Sequence, residues 1–151
     1  MEVERPSRLG TIIRFLIGMT PLALAVGYAS LYTIFPSATF PATSDPSAAW
    51  ILVVLLLTAV AGGSVAEELR AALVASLAAI PVGFVVGLAM AFAPAVAGLY
   101  LLAPTALPFF MAHYSIFVVG LAFPLSLVGS ILGQVLRGRL AAERIPHRME
   151  P

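Results

Sequence analysis

The placement of arginine constrains this chain more than any other feature. All eight basic residues are arginines (Arg5, Arg8, Arg14, Arg70, Arg137, Arg139, Arg144 and Arg148), and lysine is absent. Between Phe15 and Leu136 the charged residues are Asp45, Glu67, Glu68 and Arg70 alone. These charges divide the interior into apolar stretches, and a helix of roughly 20 apolar residues crosses the hydrocarbon core of a bilayer. Of the 151 residues, 61% are hydrophobic and 10% charged, whereas a soluble domain is roughly one quarter charged. A water-facing fold of this length has no use for so much apolar surface, but lipid accepts it. The expected class is an all-α integral membrane protein.

Composition also excludes functions. A net charge of +1, with arginines at the chain ends and one turn, makes no patch for nucleic acid. Cysteine is absent, which removes disulfides, thiol catalysis and cysteine-ligated metals. Asparagine is absent too, and Gln134 is the single glutamine. Arginine used without lysine fits a GC-rich genome, and the expected location is a prokaryotic cytoplasmic membrane.

Four spans fit the chain, at about 12–35, 47–62, 65–93 and 114–136, followed by a cytoplasmic tail, 137–151. Lys and Arg near span ends collect on the cytoplasmic side. Four spans put both termini and the 62–70 turn inside together with every arginine, and leave the outer loops, 36–46 and 94–113, without positive charge. Three tight spans within the charge-free run 71–136 would push Arg137, Arg139, Arg144 and Arg148 outside, so four are preferred. Ala23, Leu24 and Ala25 match a signal-peptidase site, but the apolar run continues ten residues past Ala25, longer than a signal core. The first helix is expected to be retained.

Local signals refine this layout. Gly62 and Gly63 read as a helix stop. Ser64 followed by Glu67 reads as a capping box opening the third helix, with Glu67, Glu68 and Arg70 in its first turns. That position accounts for the paired carboxylates structurally. Trp50, Tyr32, Tyr100 and Tyr114 form an expected aromatic belt at the outer boundary.

The third helix carries the sharpest pattern. Ala71, Ala75, Ala79, Gly83, Gly87, Ala91 and Ala95 recur every four residues, a groove of small side chains that lets another helix approach closely. Gly129 and Gly133 repeat the spacing in the fourth span. Two uses fit: packing within one four-helix bundle, or sealing a homo- or hetero-oligomer. Pro21, Pro81 and Pro124 fall inside spans, where each removes a backbone hydrogen bond and favours a kink. Broken helices line transport sites, yet neighbouring groups such as Thr20 and Ser76 also re-satisfy the freed carbonyls.

No ionisable side chain lies deep in a span, which argues against proton-coupled carriers and pumps. His113 stands alone just before the fourth span, with His147 at the opposite side, so neither a metal nor a cofactor is expected. No nucleophile has a supporting base, and the chain is not expected to be an enzyme. The 94–112 segment is long, uncharged and apolar; its core, 95–102, fits a short interfacial or re-entrant helix that Pro104 and Pro108 would break before Phe109. It must meet lipid or protein, and Tyr100, Phe109, Phe110 and His113 are its candidate contact residues.

The expected fold is thus a four-helix membrane bundle with both termini cytoplasmic, small-residue packing and a long apolar outer loop. The expected function is non-catalytic: an accessory or structural subunit, or a self-associating scaffold, with the bilayer and other membrane chains as partners. The alternative is a small facilitator or channel for a neutral solute, using the proline-kinked helices. A scaffold requires a dry interior of Ala, Gly, Leu and Val. A facilitator requires a hydrated path past Thr20, Thr58, Ser76, Ser126 or Ser130.

Overall fold

Apolar residues and helix-forming Ala and Leu fill the chain between its few charges, and helix is what results. The computed structural model describes residues 8–34, 49–98 and 105–143. In these it places α1 (Arg8–Ile34), α2 (Ala49–Val65), α3 (Leu69–Val96), α4 (Ala106–Phe117), a π-helical turn (Val118–Ala122) and α5 (Phe123–Glu143). The last three run on without a break, giving four helical stretches. Three of them, Leu9–Ile34, Leu69–Val96 and Ala106–Ala142, are long and apolar enough to cross a membrane. With 17 residues, α2 is about 25 Å long, short of the roughly 30 Å hydrocarbon core.

The boundaries correct three expectations. First, the apolar outer loop is in part helix. Pro94 lies inside α3, which ends at Val96, and Gly98 beyond it adopts φ 76°, a left-handed conformation that glycine takes without steric cost. The fourth stretch starts at Ala106, eight residues ahead of the expected 114. Pro108 does not break it, because the first turn of a helix needs no intrahelical N–H donor. Residues 99–104 with Tyr100, the 36–46 loop, and the tail beyond 143 lie outside the described residues.

Second, Gly62 and Gly63 do not stop α2, which continues through them to Val65. The Ser64 hydroxyl donates back to the Ala61 carbonyl at 2.8 Å, so the capping box does not form. Glu68 occupies the N-cap of α3 with φ −129° and ψ 151°, and makes no side-chain cap hydrogen bond. Third, Tyr114 lies eight residues into its helical stretch, about 12 Å from the start. It is buried against Phe84, with ring centroids 4.9 Å apart, and donates its hydroxyl to the Ile80 carbonyl.

Proline has its largest effect at the fourth stretch. Pro124 offers no N–H to the Gly120 carbonyl and its ring crowds that oxygen. The turn just before it, Val118–Ala122, widens to π geometry, one of the ways a helix absorbs such an interruption.

Packing follows the small residues. α1 and α3 run parallel, and an added Cβ on Gly27 would lie 2.8 Å from the Gly83 carbonyl oxygen. α2 and α5 also run parallel, with Gly63 against Ser130 and Gly133 against Val60. The antiparallel contact between Gly18 of α1 and Gly62 of α2 joins the two pairs. So does the hydrogen bond between the hydroxyls of Ser76 (α3) and Ser130 (α5), 2.5 Å long. Val26, Leu55, Phe110 and Phe117 fill the space between helices, while Ile12, Val53, Leu57, Val85, Ile116 and Val119 project outward from them.

Candidate functional site

Among the described residues the charged side chains gather at one end, and helix register brings them there. Gly18 and Gly62 meet at backbone distance. One turn further toward that end stand Arg14 on α1 and, across from it, Ala66 and Glu67 in the 66–68 link. Arg14 and Glu67 form an ion pair, with side chains 53% and 34% exposed, exposed enough for solvent to screen most of its strength. Thr11, Arg14, Phe15 and Gly18 share one face of α1 because residues three and four apart stack on a helix. Ala71 and Ala75 of α3 face them, and Glu68 closes the rim. Together these residues line a cleft of about 320 Å³, in which Arg14, Glu67 and Glu68 are exposed and Gly18 and Ala75 are buried.

Beside the cleft, α5 satisfies the end of α2. The last carbonyls of a helix lack intrahelical partners. Gln134 Nε2 donates to the carbonyls of Gly63 at 2.6 Å and Ala66 at 2.9 Å, and Arg137 donates to Ala66 as well. Sequence reasoning missed this role, although one signal was visible: Gln134 is the only side-chain amide in the chain, and an amide in an apolar helix must find a partner.

Four of the five hydroxyls that a solute path would need have partners close at hand. Thr58 donates to the carbonyls of Val54 and Leu55. Ser126 donates to Phe123 at 2.9 Å and Ser30 to Gly27 at 2.8 Å. Ser76 donates to Ala72 at 3.0 Å and pairs with Ser130. Thr20 lies on an exposed face.

The groove residues divide by position. Ala71 lines the cleft. Ala75, Ala79, Gly83 and Gly87 are buried, with Gly83 against Ala23 and Val26, and Gly87 against Ser30 and Phe110. Ala91, half-buried, packs on the core nearer the other end. Gly129 lies against Leu56, Ala59 and Val60 of α2, and Gly133 against Val60, Gly63 and Ser64. This chain's own helices therefore occupy the groove from Ala75 to Gly87.

At the far end Trp50 meets Tyr32 edge-on, with centroids 5.3 Å apart, and Tyr28 at 6.0 Å. Of the candidate contact residues there, Phe109 and His113 are exposed. Their rings lie 3.9 Å apart, and His113 Nδ1 is 3.0 Å from the Phe109 carbonyl oxygen. Phe110, adjacent to Phe109 but on the opposite face, is buried at 1% exposure among Phe84, Phe92 and Tyr114. It therefore offers no surface to a partner or to lipid.

Among the described residues no three His, Cys, Asp or Glu side chains converge on a metal-sized site. The chain matches no family model, no curated protein and no solved structure, so any reading of function rests on this geometry.

Proposed function

We propose that this protein is a four-span integral membrane protein, with both termini cytoplasmic, that serves as a non-catalytic structural or accessory subunit. Membrane insertion is supported by the exterior. Val53, Leu57, Val85, Ile116, Val119 and Val128 are all more than half exposed, an apolar surface that water would penalise and lipid would not. Orientation is supported by Arg14, Arg70 and Arg137 standing at one end, the cytoplasmic end under the positive-inside rule. The short α2 is accommodated by modest local thinning of the bilayer.

One observation carries the accessory role: among the described residues, the space between the helices is filled by their own packing. Past the cleft, Gly18, Gly27, Gly83 and Gly87 bring backbones together, and Ser30, Ser76, Ser126 and Ser130 are buried with hydrogen-bond partners. That arrangement favours a packed structural element over a hydrated path for solute. With the α3 groove occupied from within, the surfaces left for another chain among the described residues are the outward helix faces and the exposed ridge of Phe109 and His113.

Native mass spectrometry of the protein gently extracted from its own membranes tests this role. Co-isolation in fixed stoichiometry with a larger membrane complex is the expected result. A bare monomer that also conducts a neutral solute in liposomes would overturn it.

A further inference from the structure

The cleft at the arginine-rich end brings a guanidinium and two carboxylates to one apolar hollow. Its volume of about 320 Å³ falls at the small end of ligand pockets, which run from roughly 300 to 1,000 Å³. Its lining includes the half-buried Phe15 and the buried Gly18 and Ala75, while Arg14, Glu67 and Glu68 are exposed and take the rim. One guanidinium and two carboxylates give the rim a formal charge of −1. An anionic ligand would meet both carboxylates and a simple cation would meet Arg14, and each like-charge contact opposes binding. A ligand carrying both signs meets neither penalty. Arg14 uses Nη1 on Glu67, and a guanidinium has further N–H donors for a phosphate. The carboxylates of Glu67 and Glu68 can accept from an ammonium, which has three donors. A trimethylammonium group has none and is bulkier.

The geometry points to a site for a phosphate–ammonium zwitterion of the ethanolamine class, an ethanolamine phospholipid with its headgroup at the rim and its glycerol end over Phe15. This assignment rests on the membrane reading above, which puts the cleft at headgroup level on the cytoplasmic side.

The test uses the full chain, delipidated in detergent and offered equal amounts of phosphatidylethanolamine, phosphatidylcholine and phosphatidylglycerol, with adducts counted by native mass spectrometry. The expected result is at least a tenfold preference for the ethanolamine lipid. Glu68→Gln, which leaves the ion pair in place and removes no side-chain cap hydrogen bond, should reduce that preference several-fold at unchanged melting temperature. Ala71→Leu, which fills the cleft and leaves every charge in place, should abolish it. Soluble phosphoethanolamine separates two supporting outcomes: displacement of the lipid means the headgroup alone is recognised, and no displacement means the intact lipid is required. Equal retention of the three lipids, or a preference unchanged in both variants, overturns the site. The membrane reading fails separately, by release of the protein from membranes in alkaline carbonate.

Discussion

The two parallel helix pairs solve the same packing problem with different materials. Between α1 and α3, much of what faces the glycines is side chain. A Cβ on Gly83 would sit 2.9 Å from Val26 Cγ1, and one on Gly87 would sit 3.0 Å from Ser30 Oγ and 3.1 Å from Phe110 Cζ. Between α2 and α5 it is mainly backbone: Gly63 faces the Ser130 carbonyl, and Gly133 faces the Val60 carbonyl with the Ser64 nitrogen 2.7 Å from an added Cβ. Side chains can turn or shift by tenths of an ångström, whereas a helix backbone moves only as a body. The second interface should therefore tolerate far less, although the longer small-residue stripe belongs to the first.

The largest expected effect comes from breaking the stricter pair. Gly133→Ala pushes a methyl group into two α2 backbone atoms and should cost about 3 kcal/mol, the upper end of the overpacking range. Gly87→Ala meets a serine hydroxyl and a ring edge first, with the Gly27 carbonyl oxygen farther off at 3.3 Å, and about 1 kcal/mol is expected. Both are read from denaturant unfolding in mixed micelles. A larger loss at Gly87 than at Gly133 would invert the comparison and show that α1 and α3 form the less forgiving contact.

A smaller effect tests what joins the pairs. The hydroxyls of Ser76 and Ser130 meet at 2.5 Å with both side chains buried. Hydrogen bonds between membrane helices average about 0.6 kcal/mol in double-mutant cycles. A cycle of Ser76→Ala and Ser130→Ala should return a coupling of about that size. Zero coupling would mean that the α2–α5 and α1–α3 pairs hold together without help from this bond.

Much of this was legible in the sequence, and the parts that were not share a cause. Apolar run length gives the number of helical stretches, and a four-residue spacing shows that α3 has a face of small residues. Neither says which helix fills that face, because contacts such as Gly27 with Gly83 link residues far apart in the chain. Gly62 and Gly63 carried a second meaning for the same reason. A glycine pair signals a helix end locally, but across space it also lets Gly18 and Ser130 come close, and here the distant contacts prevail. The prolines were over-read where a first turn could hold one, at Pro108, and correctly placed inside helices at Pro21, Pro81 and Pro124. Phe109 and Phe110 show the limit of reading a segment as a unit: one step of helix rotation exposes the first ring and buries the second. The cleft was the least legible feature. Its walls come from α1, the end of α2 and the start of α3, and its charges looked fully explained as a helix start.

The smallest effect has the opposite sign and sharpens the comparison from outside both interfaces. Gly138 lies in α5 with nothing within 4 Å of where its Cβ would be, so alanine there meets no neighbour. In a helix interior glycine is less favourable than alanine by about 0.8–1.0 kcal/mol, and near a helix end part of that difference is lost. Gly138→Ala should thus stabilise the protein by about 0.5 kcal/mol, in contrast to the losses at Gly133 and Gly87. The three substitutions change the same atoms on helical backbone, so the contrast isolates what each glycine faces. If Gly138→Ala were as damaging as Gly133→Ala, space at the interface would not be the reason glycine occupies Gly133, and the backbone-on-backbone account of the α2–α5 pair would fail with it.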